Sequence, residues 1–155
     1  MTLLENGTDA MAFSSGQAAT MSIMHSLQSG DHVLLPDDIY YGTKVMLQNL
    51  YHRFGLEYNT IDMTDVDLVY NSIKSNTKLI WIETPSNPSL KITDLQAIAA
   101  IAKEKNIVTA CDNTWATPYF TKPFEFGIDL IMHSSTKYFG GHSDIIGGAV
   151  IVNGN

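Results

Sequence analysis

The sequence predicts an α/β fold: a seven-stranded, mostly parallel sheet in an α/β/α sandwich. Short apolar segments alternate along the chain with stretches of helical apolar spacing. The strand segments are rich in Val, Ile and Leu and mostly lead into helices, the pattern of a parallel sheet covered on both faces. At 155 residues the chain is one domain by length.

The first strand is expected at 10–13, followed through Ser14-Ser15-Gly16 by a helix over 17–28. A strand at 33–36, within DHVLLPDD, precedes a helix over 43–51; a strand at 56–61 precedes a helix over 66–74. After a strand at 79–83, the helix over 93–105 places Leu95, Ile98, Ala99 and Ala102 at i, i+3, i+4 and i+7. Thr93 is its expected N-cap, and Lys103 and Lys105 suit the negative end of its dipole. Strands at 107–111, 130–133 and 149–152 complete the sheet. The last follows through a loop too short for a helical crossover, so it is expected to run antiparallel.

Composition excludes several functions. The net charge of −7 and the lack of a basic stripe argue against nucleic acid. No apolar run approaches a membrane span, and the N-terminus lacks a secretory pattern, so a soluble cytoplasmic protein is expected. Cys111 is the single cysteine and reads as a buried core thiol. The five histidines show no HExxH or paired spacing; His133 and His142 read as structural residues, and no metal is expected.

The most informative stretch is 132–148, MHSSTKYFGGHSDIIGG. It places Lys137 just past an apolar strand, among small hydroxyl residues and ahead of Gly140-Gly141. Most lysines are solvated surface residues. A strand end with no neighbouring charge suits instead an amine that reacts with an aldehyde. Asp112 directly follows the apolar run IVTAC, where a carboxylate costs desolvation unless it caps a turn or meets a cation. The pair suggests pyridoxal 5'-phosphate (PLP), held by Lys137 as a Schiff base with Asp112 facing the ring nitrogen.

Three more strand-end loops fit the same reading. Ser14-Ser15-Gly16-Gln17 offers either an ordinary N-cap or free amides for a phosphate. It is neither a dinucleotide fingerprint nor a Walker loop. In the segment 37–43, Tyr40 or Tyr41 could stack on a flat ring. In the segment 83–88, Asn87 offers both a donor and an acceptor. Ser134 and Thr136, at i−3 and i−1 from Lys137, could reach the same phosphate. The chain holds one arginine, Arg53, in a segment that reads as a helix end. A site for both a phosphate and a carboxylate wants an arginine fork, so part of such a site is expected outside the chain.

The ordered blocks AFSSGQAA, DDIYYGT, ETPSNPSLKITDL, DNTWATP and HSSTKYFGGHSD resemble the Cys/Met-metabolism (trans-sulfuration) family of PLP enzymes. That family includes cystathionine γ-synthase, cystathionine γ- and β-lyases, homoserine-ester sulfhydrylases and methionine γ-lyase. The resemblance implies the large domain of a fold type I PLP enzyme. It implies Lys137 as Schiff-base lysine and proton shuttle, Asp112 at the pyridine nitrogen, and Tyr40 on the ring. Gly16 and Gln17 amides, with Ser134 and Thr136 hydroxyls, would hold the phosphate; Thr114 would contact the cofactor and Asn87 the substrate side. The implied chemistry is β- or γ-elimination or γ-replacement on sulfur amino acids or activated homoserine, in a dimer or tetramer.

Three positions depart from the family pattern. Gln17 stands where Met is usual, and Tyr41 replaces the first glycine of Tyr-Gly-Gly-Thr, which leaves both tyrosines open as the stacking residue. Gly42 stands where methionine γ-lyases often carry cysteine, which disfavours that member. Family members are more than twice as long. Residues 1–155 are therefore expected to be the PLP-binding domain core, without the N-terminal arm and the C-terminal small domain. A non-catalytic remnant with weak or no PLP binding is the alternative reading.

Overall fold

The apolar runs become the inner strands of one sheet, and their side chains alternate between two covered faces. A computed structural model describes residues 1–154. The strands are β1 (Asp9–Phe13), β2 (His32–Pro36), β3 (Glu57–Ile61), β4 (Thr77–Glu83), β5 (Val108–Asp112), β6 (Leu130–His133) and β7 (Gly148–Val152). They line up in the order β1-β7-β6-β5-β4-β2-β3. Neighbours from β6 through β3 are parallel, whereas β7 is antiparallel to both β6 and β1. The expected reversal of the last strand is therefore observed, and β7 alone runs against the rest.

Helices α1 (Thr2–Glu5), α2 (Gly16–Met24), α3 (Tyr41–Asn49), α4 (Val66–Ser72), α5 (Leu95–Lys105) and α6 (Thr117–Phe120) fill the connections. On one face, Val33, Leu35, Leu79 and Trp81 pack with Ala19, Ile23 and Met24 of α2 and Leu47 of α3. On the other, Leu34, Ile80, Ile82 and Cys111 pack with Val69 of α4 and Leu95, Ile98, Ala99 and Ala102 of α5. Successive residues of a strand point to opposite faces, so each fully buried run serves two cores. The sheet edges differ: β1 is largely solvent-facing and β3 only partly covered.

Several boundaries shift from expectation. α2 stops at Met24 and α4 at Ser72, and the helix expected over 43–51 becomes α3 plus a 3-10 turn, Tyr51–Phe54. Asp94, not Thr93, caps α5, accepting a hydrogen bond from Ala97 N at 3.0 Å. Thr93 is buried instead, and its N–H donates to Thr84 Oγ1 at 3.0 Å. The short helices α1 and α6 carry too few residues to leave a periodic signal. No helix among the described residues is long and apolar enough to cross a membrane.

Candidate active site

In open α/β sheets, ligands sit beyond the carboxyl ends of the strands. Here the loops leaving β1, β6, β5, β4 and β2 share that edge, and the reversed β7 starts there.

At β1 the chain enters α2 through Ser15, whose hydroxyl accepts from Ala18 N at 3.0 Å. That cap leaves the Gly16 and Gln17 N–H groups, at the positive end of the helix, available to an anion. Gly16 lies against the loop after β6: a Cβ there would sit 2.7 Å from Ser134 Cβ and 2.8 Å from Ser134 Oγ. The Ser134 hydroxyl thus adjoins the first turn of α2. Ser134 N donates to Thr114 Oγ1 at 2.8 Å, which ties the β5 and β6 loops together.

Thr136 is placed differently. Its hydroxyl donates to Gly147 O at 3.2 Å and accepts from Gly147 N at 3.1 Å, closing the loop onto the start of β7. Lys137 follows in a turn in which its N–H donates to Ser134 O and its carbonyl accepts from Gly141 N at 2.7 Å. Its side chain is exposed and makes no ion pair among the described residues. Lys91, by contrast, is held by Asp37 and Asp62, each at 3.0 Å.

Asp112 is the last residue of β5, partly buried, with Oδ1 accepting from Thr114 N at 3.0 Å. Burial pushes its carboxyl above the ordinary range, while the Thr114 hydrogen bonds and the His133 side chain pull it back. Its register partner across the sheet is Glu83, which ends β4. Glu83 is only 6% exposed, and its Oε2 accepts from Tyr40 N at 2.9 Å. Burial first, and the Asp112 carboxylate second, push Glu83 up to about 8. The Asn87 backbone amide also faces it, whereas the Asn87 side chain lies in an exposed turn.

The Glu83 bond fixes the backbone of Tyr40 at the entrance to α3. A Cβ on Gly42 would lie 1.9 Å from Gln17 Nε2 and 2.6 Å from Tyr40 Cε1. Gly42 therefore lets the Tyr40 ring and the Gln17 amide close over it. Tyr40 is the tyrosine joined to the α2 entrance; Tyr41 is 76% exposed. Arg53 lies on the 3-10 turn between α3 and β3, at the opposite edge of the sheet.

Two residues of this region have no place in the expectations from sequence. Glu83 carries the same signal as Asp112, a carboxylate ending an apolar run, and that signal could have found it. Glu5 is fully buried, with its Oε1 on Asn113 Nδ2 at 2.8 Å and on His133 Nε2. Nothing local marks it, because its partners lie 108 and 128 residues away.

Residues 1–155 match the family described as Cys/Met metabolism PLP-dependent enzyme. The chain is 50% identical over 153 residues to a cystathionine β-lyase of Coxiella burnetii, covering 98% of this chain and 40% of the relative. It is 48% identical over 151 residues to a cystathionine γ-lyase of Bacillus subtilis, covering 97% and 40% respectively. The chain belongs to the Cys/Met metabolism PLP-dependent family. The crystal structure of cystathionine γ-lyase from Lactobacillus plantarum complexed with L-serine superposes with a TM-score of 0.97 at 39% identity, covering 99% of this chain and 40% of that one. The fold is thus that of the fold type I large domain, and the chain spans about 40% of the length of these relatives.

PLP is the cofactor of this family, and the Cys/Met-family site geometry fits it. Gly16 and Ser134 form a cradle that a side chain at 16 would fill, beside free helix-start amides. Asp112 is a carboxylate at a strand end that no lysine or arginine pairs with among the described residues, which suits a cationic ring nitrogen. Gly16→Ala is expected to weaken PLP binding by about 10-fold or more, because a displacement of about 1 Å at a positioning contact has effects of this size. Titration of the variant with PLP, followed by absorbance, measures it; parental affinity would mean that the cradle does not receive the phosphate.

Proposed function

We propose that residues 1–155 form the PLP-binding core of a trans-sulfuration enzyme acting on cystathionine or a related sulfur amino acid. The observation that carries this reading is the meeting of Gly16, Ser134, Asp112 and Tyr40 at one sheet edge beside Lys137. The relatives' names, a β-lyase and a γ-lyase at nearly equal identity, support the substrate class without separating the two reactions.

PLP supplies an electron-withdrawing ring that stabilises the carbanion left when an amino acid loses its α-proton. The chain supplies the rest. Gly16 and Gln17 amides, with the Ser134 hydroxyl, hold the phosphate; Thr136, whose O–H is donated to Gly147 O, orders the loop. Asp112 pairs with the ring nitrogen, Thr114 orients Asp112, and the Tyr40 ring covers the face of the cofactor. Lys137 Nζ is the covalent anchor and, when free, the base that moves the α-proton. Asn87 lies on the substrate side.

No arginine stands at this edge among the described residues. The forks for the phosphate and the substrate carboxylate are therefore assigned to an N-terminal arm and a C-terminal small domain outside residues 1–155. A homo-oligomer is supported by the exposed aromatic rim of Trp115, Tyr119, Phe120 and Tyr138 around an open cleft of about 830 Å³. A cytoplasmic location is part of the same proposal.

The test is to supply L-cystathionine to the PLP-loaded chain and identify the keto acid. Pyruvate marks β-elimination and 2-oxobutyrate γ-elimination; Lys137→Ala is expected to release neither. A folded, PLP-loaded chain that releases no keto acid even when joined to the segments assigned the arginine forks would favour the non-catalytic reading.

A further inference from the structure

We propose that Glu5 is a positioning residue of the cofactor site, acting from the far end of the chain by locking together the residues next to Asp112 and Ser134. This rests on the assignment of Asp112 and Ser134 to PLP made above. Glu5 sits on α1, four residues long, and its side chain has no solvent exposure. Glutamate is almost never fully buried without a partner of its own. One oxygen, Oε1, accepts from Asn113 Nδ2 at 2.8 Å and from His133 Nε2, and both partners are also fully buried.

The chain positions of those partners give the contact its meaning. Asn113 follows Asp112, and His133 precedes Ser134. Asn113 N donates to Met132 O at 3.0 Å, and Asn113 Nδ2 donates to Thr121 O at 2.9 Å. Beyond them, Thr114 N donates to Asp112 Oδ1 and Ser134 N donates to Thr114 Oγ1. A ring of hydrogen bonds and short chain segments thus runs from Glu5 through residues 113, 114 and 134 to 133 and back to Glu5. Removing Glu5 opens that ring and leaves the Asn113 N–Met132 O and Ser134 N–Thr114 Oγ1 bonds to join the two strand ends.

A packing role alone does not explain this choice of residue. α1 is poorly anchored by apolar contacts, since Leu3 is 93% and Leu4 51% exposed. An apolar residue at position 5 would fill the same space but would leave the Asn113 and His133 donors buried without an acceptor. What a carboxylate adds is a fixed geometry for two donors from different strands. It also fixes one ring nitrogen of His133, the residue that precedes Ser134.

The experiment compares the parent chain with Glu5→Leu and Glu5→Gln. It measures the thermal midpoint, amide exchange at Thr114 and Ser134 without cofactor, and Kd for PLP. Glu5→Leu is expected to lower the midpoint, because two buried donors lose their acceptor, to speed exchange at both amides by about 10-fold, and to weaken PLP binding by about 10- to 100-fold. Glu5→Gln, whose carbonyl oxygen can still accept from one donor, should fall between. Parental Kd and parental exchange in a folded Glu5→Leu would overturn the proposal, as would a Glu5→Gln that loses midpoint while keeping Kd. If Glu5→Leu does not fold, Glu5→Gln decides: weaker PLP binding with faster exchange supports the proposal, and parental values of both overturn it. No saturable PLP binding by the parent chain would refute the cofactor site itself, and this proposal with it.

Discussion

Asp112→Asn is expected to weaken PLP binding by about 100-fold while making the cofactor-free chain more stable. The substitution keeps the shape and the bond from Thr114 N, and removes only the charge. On the proposed assignment, that charge meets the ring-nitrogen cation of bound PLP at a partly buried strand end, where breaking such a pair costs about 3–5 kcal/mol. An asparagine keeps part of the contact as a neutral hydrogen bond, which brings the effect down to about 100-fold. Without PLP, the same carboxylate faces Glu83 across the β4–β5 register, and two carboxyls resist ionising together. Removing one relieves the other, so the Glu83 pKa should fall in Asp112→Asn. Absorbance titration with PLP and urea unfolding of the cofactor-free variant measure the two effects. Parental affinity in Asp112→Asn would remove Asp112 from the site.

Glu83→Gln is expected to abolish a loss of stability that the parent chain shows as pH rises. Glu83 moves from an ordinary value of 4.5 to about 8 on folding, so between those limits the folded chain binds more protons than the unfolded one. Unfolding free energy then falls with rising pH, by up to about 1.4 kcal/mol per pH unit, and levels off above about pH 8. Asp112, shifted in the same direction, adds to the slope at its lower end. His32 has the opposite sign: its imidazole, pushed below 6.5 by burial, favours the fold as pH rises, but only while the unfolded histidine is still losing its proton. Urea unfolding between about pH 7 and pH 8 reads the Glu83 effect, because the unfolded histidine is by then mostly neutral. The Cys111 thiol, pushed up by burial, lowers stability only as the pH approaches its ordinary value of 9.0. The variant should be flat across that interval and more stable than the parent at its upper end. Glutamine still accepts from Tyr40 N, so the loop is retained. A parent chain with no slope in that interval would contradict the assignment of a proton to Glu83.

The elements legible in the sequence are those whose signal is local and periodic. The apolar runs of β2, β4 and β5 and the Leu95–Ile98–Ala99–Ala102 stripe of α5 lie in the core as expected, because burial on two faces or one leaves a period in the chain. α5 begins two residues later than expected, since Asp94 and Thr93 are both competent caps and only the fold turns Thr93 inward onto Thr84. The strand-end loops carrying Gly16, Tyr40, Asp112 and Ser134 are also legible, because special chemistry at the end of an apolar run stands out. The choice between Tyr40 and Tyr41 is not. It depends on Gly42 admitting the Gln17 amide and one tyrosine ring, a three-way contact between separate loops. The Thr136 hydroxyl's attachment to Gly147 and the Glu5 contact with His133 are hidden for the same reason: the partners meet only when the sheet is assembled.

The central claim is that five strand-end loops of this chain assemble a PLP site with Lys137 as its covalent anchor. The most direct test is to add PLP to the chain, reduce with borohydride, and map the phosphopyridoxyl group by peptide mass, with Lys137→Ala in parallel. The expected result is a single modified lysine, Lys137, absent from the variant. Labelling spread over several surface lysines of a folded chain, or labelling that persists in Lys137→Ala, would contradict the account.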